Sequence, residues 1–229
     1  MKLLIDADIV TFRAAFTVED EDPDGEWNAC ARTNQMLEDM LAETGADSYE
    51  LWLSGQGNFR YNVYPEYKAG RIAAKRPKHE RAVKEYLVAH WQANWSEGCE
   101  ADDMLGVRLM EVGPEGCIAT IDKDLNMIPG YHYNFVKKEK FYVDEDAAFR
   151  FFCYQLIVGD TADGIKGVPG YGPKKAERLL DANEPQDWLD RIRDLYSSDE
   201  EMLMNGQCLW IWRTKGDIWT GPQHVKKPS

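Results

Sequence analysis

The sequence is poor in the residues that build soft-metal sites. Its four histidines (His79, His90, His132, His224) are scattered, and its five cysteines (Cys30, Cys99, Cys117, Cys153, Cys208) are odd in number, with no Cys-x-x-Cys pair. That leaves zinc no site and argues against a disulfide framework. The cysteines read as reduced thiols buried as small hydrophobes. Long apolar runs are also missing. The short apolar window before Asp6 does not make a secretory signal, and no later stretch approaches a bilayer span. No internal repeat or low-complexity tract is visible. What is present is 229 residues, 44% of them hydrophobic, with eight Trp and eleven Tyr. That composition predicts a folded, soluble, cytoplasmic chain with one core and a modest appended subdomain.

The net charge of −13 would repel a polyanionic partner at long range. Its distribution weakens that objection. Residues 68–84 hold seven Lys/Arg against a single acid, Glu80. Residues 19–26 carry six acids in what reads as a solvated loop, and nine more fall in four short motifs. Those fifteen exceed the whole negative excess, so the overall sign says little about partners.

Apolar segments alternate with helical patterns over the first two-thirds. Strands are expected at 2–6, 49–53 and 117–121, with two further extended segments near 132–143. Helices are expected at 29–44, 78–95, 101–112 and 146–158, the first stopped by Gly45. Beyond 158 the chain reads as helical until a Trp-rich end, CLWIWRTKGDIW, that suggests a hairpin. This order predicts an α/β fold with a mainly parallel sheet, whose ligand site lies beyond the carboxyl ends of the strands. Asp6, Ser54-Gly55 and Asp122 fall at those ends.

The four acidic motifs are Asp6-Ala-Asp8, Glu100-Ala-Asp102-Asp103, Asp122-Lys-Asp124 and Asp160-Thr-Ala-Asp163. On an extended backbone Asp122 and Asp124 share a side. Glu100 and Asp103 share a helix face, at the end where acids are favoured, and Asp160 and Asp163 have the same spacing. Taken singly, each motif is more often a cap or a solvated face. Gathered together they need a counter-charge, because two like charges ~4 Å apart repel by about 4 kcal/mol at an effective dielectric near 20. Oxygen-only ligation suits Mg²⁺ or Mn²⁺. Asp20-x-Asp22-x-Asp24-Gly25 imitates the start of a calcium loop, but its twelfth position is Ala31 where Glu is required.

Gly167-Val-Pro-Gly170-Tyr-Gly172-Pro-Lys174-Lys175 is the most specific stretch. Its glycines and prolines make a tight turn into a helix that opens on Pro173. Backbone N–H groups, the helix N-terminus, Lys174 and Lys175 form a candidate phosphate cradle. Here the chain resembles a known family. The run Gly159-Asp160-x-x-Asp163-Gly164-Ile-x-Gly167-Val-x-Gly170-x-Gly172 is similar to the helix–three-turn–helix of flap endonucleases and 5′–3′ exonucleases. So are Gly98-x-Glu100-Ala-Asp102-Asp103, Asp122-Lys-Asp124, and Asn58-Phe59-Arg60 leading to Pro65-x-Tyr67-Lys68-x-x-Arg71. The compact length and Trp-rich end make it most similar to the small exonucleases of T7-like phages.

The resemblance implies a PIN-like core over residues 1–145, with a basic helical arch at about 71–97. A helical DNA-binding region would follow at 146–229, with the helix–three-turn–helix at about 150–182. It implies a structure-specific 5′ nuclease acting on DNA 5′ ends, flaps or gaps, and leaves RNA–DNA hybrids open as a further substrate. Two Mg²⁺ or Mn²⁺ ions would serve hydrolysis to 5′-phosphate products in replication, primer removal or recombination. By motif, Asp6, Glu100, Asp102, Asp103, Asp122, Asp124, Asp160 and Asp163 would hold the metals, with Asp8 adjacent. Lys68 and Arg71 would meet the scissile phosphate, and Tyr67 would stack on a terminal base. DNA contacts would also come from Arg13, Arg60, Lys75, Arg76, Gly170, Gly172, Lys174 and Lys175. The carbonyls of Val168 and Tyr171 would hold K⁺.

One position departs from the pattern: the family usually has Asp at the end of the second strand, where this chain has Gly55 after Ser54. Two other readings compete. Asp6-x-Asp8 with Asp160 and Asp163 also resembles haloacid-dehalogenase-type phosphatases, in which Asp6 would be a nucleophile. The loss at Gly55 would alternatively leave a non-catalytic binder of branched DNA.

Overall fold

The computed structural model describes residues 1–19, 21–73 and 75–222. Asp20 of the rejected calcium loop, Ala74 of the basic segment, and His224 lie outside them. A six-stranded sheet in the order β3-β2-β1-β4-β5-β6 organises the described residues. Its first strand, β1 (Lys2–Asp6), runs into α1 (Ala7–Phe16), and α2 (Gly25–Thr44) returns to β2 (Ser48–Leu53). After α3 (Arg60–Val63) come α4 (Glu80–Trp91), the edge strand β3 (Asn94–Trp95), α5 (Ala101–Val112) and β4 (Gly116–Ala119). β5 (Gly130–Asn134) and β6 (Glu139–Val143) complete the sheet. Every pairing is parallel except β5 with β6.

The pleat sorts the core. Leu3 and Ile5 face one side of β1 and Leu4 the other, and all three are fully buried. α1, α2 and α4 cover the Leu3/Ile5 face, with Leu37, Val83 and Leu87 packed there. α5 and the later helices cover the opposite face, where Leu4 and Ile118 meet Leu105, Phe152 and Leu156. Those later elements are α6 (Glu145–Val158), the two-residue strands β7 (Gly159–Asp160) and β8 (Ile165–Lys166), α7 (Pro173–Asp181), α8 (Trp188–Arg193) and α9 (Asp199–Leu209). They share this core instead of enclosing one of their own.

Several boundaries differ from the sequence reading. α2 starts at Gly25, so Glu26 belongs to a helix and not to the acidic loop. The helix expected to reach residue 95 stops at Trp91, where Gln92 takes a left-handed conformation (φ 55°). That turn frees Asn94 and Trp95 to pair with Trp52 and Leu53. The Trp-rich end forms no hairpin. Trp210, Ile211, Trp212 and Trp219 are buried instead, and apolar burial outweighs strand pairing there. A Cβ on Gly206 would lie 2.0 Å from the Trp219 ring, so α9 carries glycine where that ring seats.

Candidate active site

The carboxyl ends of β1 and β4 are tied by one hydroxyl. Asp6 caps α1, its Oδ1 accepting from the Ile9 N–H at 3.1 Å. Its Oδ2 accepts from the Thr120 hydroxyl at 2.8 Å. Thr120 Oγ1 accepts in turn from the Asp122 N–H at 3.0 Å. Asp122 and Asp124 do not lie on an extended strand as expected. They open a 3-10 turn over Lys123–Met127, and the Asp124 N–H donates to Asp122 Oδ1 at 2.9 Å. Asp160 ends β7 and Asp163 lies in the turn to β8, where Asp160 Oδ1 accepts from the N–H groups of Ala162 at 2.8 Å and Asp163 at 3.3 Å. The loop geometry, not helical spacing, brings these last two together.

A narrow cleft of about 60 Å³ collects the acids, lined by Glu100, Asp102, Asp122, Asp124, Asp160 and Asp163 with Lys68 and Arg71. Asp6, 2% exposed, stands beside Asp102 and Asp122. The electrostatics divide the site in two. On one side Lys68 Nζ donates to Glu100 Oε1, and Arg71 Nη2 donates to Asp163 Oδ1. The Tyr67 hydroxyl lies 2.9 Å from Asp163 Oδ2 and 3.1 Å from Glu100 Oε2. Burial works against the Glu100 carboxylate, but Lys68 and then Arg60 outweigh it and hold its pKa below the ordinary value.

The other side lacks such compensation. Burial, then Asp8, push the Asp6 carboxyl up to about 7. Burial, then Asp6 and Asp122, raise Asp102 well above the ordinary range, and no protein group among the described residues hydrogen-bonds its carboxylate. Asp124 is raised to about 6 by burial and by Asp122, despite Lys123 Nζ at 2.9 Å. No three carboxylates, imidazoles or thiols among the described residues already close around a point as a metal cage would. The donor set is nonetheless all oxygen, crowded and under-compensated, which suits a hard divalent cation.

Residues 1–151 match the family described as the 5′–3′ exonuclease, N-terminal resolvase-like domain. This chain belongs to that family. It is 28% identical over 172 aligned positions to the flap endonuclease Xni of Shewanella piezotolerans, covering 66% of this chain and 63% of the relative. It is 27% identical over 203 positions to DNA polymerase I of Bacillus caldotenax, covering 78% of this chain and 23% of the polymerase. The chain therefore spans under two-thirds of the length of these relatives. T5 5′-exonuclease, in a structure with divalent metal ions (zinc) bound, shares the fold at TM-score 0.68 and 19% identity, over 91% of this chain and 89% of that one. Family membership removes the phosphatase reading. Asp6 is also ill-placed as a nucleophile, being buried with both oxygens engaged.

Within the family frame, three motif residues change role. Asp103 is fully buried and holds Arg60 through two bonds, Nη1–Oδ2 at 2.6 Å and Nη2–Oδ1 at 2.8 Å. It also accepts from the Glu100 N–H at 3.0 Å, so it braces the start of α5 and does not line the cleft. Arg60, 2% exposed, is spent on Asp103 and on the carbonyls of Cys208 and Trp210 and cannot reach DNA. The Tyr67 ring is buried and cannot stack on a base. Arg13, Lys75, Arg76, Gly170, Gly172, Lys174 and Lys175 lie outside the cleft lining and on the exposed surface. At the 167–172 turn, Gly172 caps α7 with Pro173 in its first turn, and Lys175 Nζ donates to the Gly170 carbonyl at 2.7 Å. The Val168 and Tyr171 N–H groups bond within the protein, which reduces the donors the 167–172 turn can offer a phosphate.

Gly55 has a structural cause. A Cβ there would lie 2.1 Å from the Ser96 carbonyl oxygen, so this strand end has no room for a side chain. Asp8 serves it from next door: its Oδ2 accepts from the Ser54 N–H at 2.8 Å, and Lys84 of α4 lies 3.3 Å from its Oδ1. Sequence reasoning missed Thr120 and Gln155, because single residues outside any motif give no signal until the fold brings them to the acids, and it counted Lys84 only within the basic segment.

Proposed function

We propose that this protein is a structure-specific 5′ nuclease, a 5′–3′ exonuclease and flap endonuclease that hydrolyses DNA phosphodiesters with Mg²⁺ or Mn²⁺ and leaves 5′-phosphates. The observation that carries this is the under-compensated cluster of Asp6, Asp102, Asp122 and Asp124, with Asp160 in the same cleft and two cationic side chains beside it. Two ions held by Asp102, Asp122, Asp124 and Asp160, with Asp6 and Glu100 next to them, would polarise the scissile phosphate and make a water nucleophilic near neutral pH.

The chain's own residues supply the rest. Lys68 and Arg71, now paired with Glu100 and Asp163, present an ammonium and a guanidinium that orient a phosphate entering the cleft. Tyr67 hydrogen-bonds both of those acids from behind, and Arg60 braces the start of α5 through Asp103. Thr120 keeps the β1 and β4 ends in register. Lys174, Lys175 and the Gly170–Gly172 turn would take duplex phosphates at a distance, with K⁺ on the Val168 and Tyr171 carbonyls. Arg13, Lys75 and Arg76 would meet the 5′ strand. Residues 1–145 would supply most of the cutting cleft, and 146–229 would add Asp160 and Asp163 to it along with the turn that holds the duplex.

Incubation with 5′-flap, gapped and blunt duplex DNA, and with an RNA–DNA hybrid, across Mg²⁺ and Mn²⁺ concentrations tests this reading. Cleavage by wild type that disappears in Asp122→Ala is expected. No cleavage of any substrate would sink the catalytic claim. Tight binding of branched DNA without cleavage would instead favour a non-catalytic binder, the reading that Gly55 supports.

A further inference from the structure

Gln155 sits in the wall of the cleft on an otherwise apolar stretch of α6, among Phe152, Cys153, Leu156 and Ile157. It is 2% exposed, yet polar. Its Nε2 donates to Asp124 Oδ1 at 2.6 Å, the same oxygen that accepts from Lys123 Nζ at 2.9 Å. Its Oε1 is buried with no hydrogen-bond partner. A buried amide oxygen left unpaired is uncommon, and leucine or methionine would suit this helix face better.

We propose that Gln155 is a positioning residue for a hydrated divalent cation at Asp124. Two donors fix Asp124 through Oδ1 and leave Oδ2 to face the cation, while Gln155 Oε1 accepts a hydrogen bond from a water in the cation's shell. The chemistry favours an amide over an acid. Small hard cations keep several waters, which need acceptors beyond the direct ligands. A further carboxylate would add negative charge to a cluster that already raises Asp6, Asp102 and Asp124, whereas an amide adds an oxygen acceptor and a donor without charge. The inference rests on the metal-dependent reading above.

The test is a Mn²⁺ titration of DNA-free protein, with free Mn²⁺ read by electron paramagnetic resonance, for wild type, Gln155→Leu and Gln155→Met. Thermal unfolding in EDTA is measured alongside. Mn²⁺ affinity should fall about tenfold in both variants, with the unfolding midpoint in EDTA unchanged or raised because the unpaired oxygen is gone. A folded variant with the wild-type Mn²⁺ isotherm would overturn the inference alone. So would parallel losses of affinity and of EDTA-state stability, which would make Gln155 a packing residue. No Mn²⁺ uptake by wild type would overturn the metal reading and this inference with it.

Discussion

The guanidinium of Arg60 and the carboxylate of Asp103 form a two-pronged, buried ion pair. The same guanidinium holds the Cys208 and Trp210 carbonyls, at 2.8 and 2.7 Å, and the Trp212 N–H donates to Asp103 at 3.2 Å. One buried pair thus fastens the start of α3, the start of α5 and the Trp-rich segment behind the acidic cleft. Removing one partner strands the other charge in the interior, which costs about 3–5 kcal/mol. Arg60→Met should lose that much in denaturant unfolding. The double variant Arg60→Met/Asp103→Leu should lose clearly less than the two single losses added together. Additive losses would mean that the two side chains act separately. Asp103→Asn that remains folded should keep the wild-type Mn²⁺ stoichiometry.

Lys68 has a left-handed backbone, φ 56°, and its N–H donates to the Asp163 carbonyl at 2.9 Å. That conformation, costing roughly 1–2 kcal/mol for a residue with a Cβ, turns its side chain toward Glu100. Lys68→Gly should therefore be more stable than Lys68→Ala by about 1 kcal/mol. Both should cut DNA on the order of a hundredfold more slowly, since the ammonium is gone from each. Equal midpoints for the two would show that the strain is absent.

Restoring the family's missing acid should fail. Gly55→Ala, whose Cβ would meet the Ser96 carbonyl at 2.1 Å, should lose about 1–3 kcal/mol. Gly55→Asp should lose at least as much and gain no cleavage rate at low Mg²⁺. A stable and faster Gly55→Asp would show that the 54–57 backbone yields readily.

The crowded acids should make the metal-free protein more stable in mild acid. The Asp6 carboxyl lies at about 7 and Asp124 at about 6, both above the ordinary value of 3.8. Between pH 4 and 7 the folded state therefore binds more protons than the unfolded state, and stability falls as pH rises. Buried His132, its pKa lowered, acts oppositely below pH 6.5. The comparison that isolates the acids is therefore wild type against Asp124→Asn in EDTA. The loss in unfolding midpoint between pH 5.5 and 7.5 should be smaller in the variant, by roughly 2–4 °C for each kcal/mol of repulsion removed. Saturating Mg²⁺ at pH 7.5 should raise the wild-type midpoint, because cations favour the ionised carboxylates.

Much of this protein was legible in its residues. Apolar runs ending on Asp6 and near Asp122 marked β1 and β4, because a buried parallel strand must be apolar and must stop where charge begins. The glycines and prolines of 167–173 marked a turn into α7, where Gly170 takes a left-handed backbone (φ 79°) and Pro173 opens the helix. The motif order carried the family. These are local properties, written in composition and spacing.

Tertiary structure decided which acids belong to the cleft and what each cation does. Glu100, Asp102 and Asp103 are near neighbours in sequence, yet Asp102 faces the other acids while Asp103 is buried against Arg60, whose partners come from 43 to 150 positions away. Tyr67 is tucked beneath the acids, and Thr120 and Gln155 join them from segments with no motif. The clash that keeps Gly55 a glycine comes from the Ser96 carbonyl on the neighbouring segment. Charge pairing and steric exclusion depend on distances between segments far apart in the chain, and only the folded packing sets those distances.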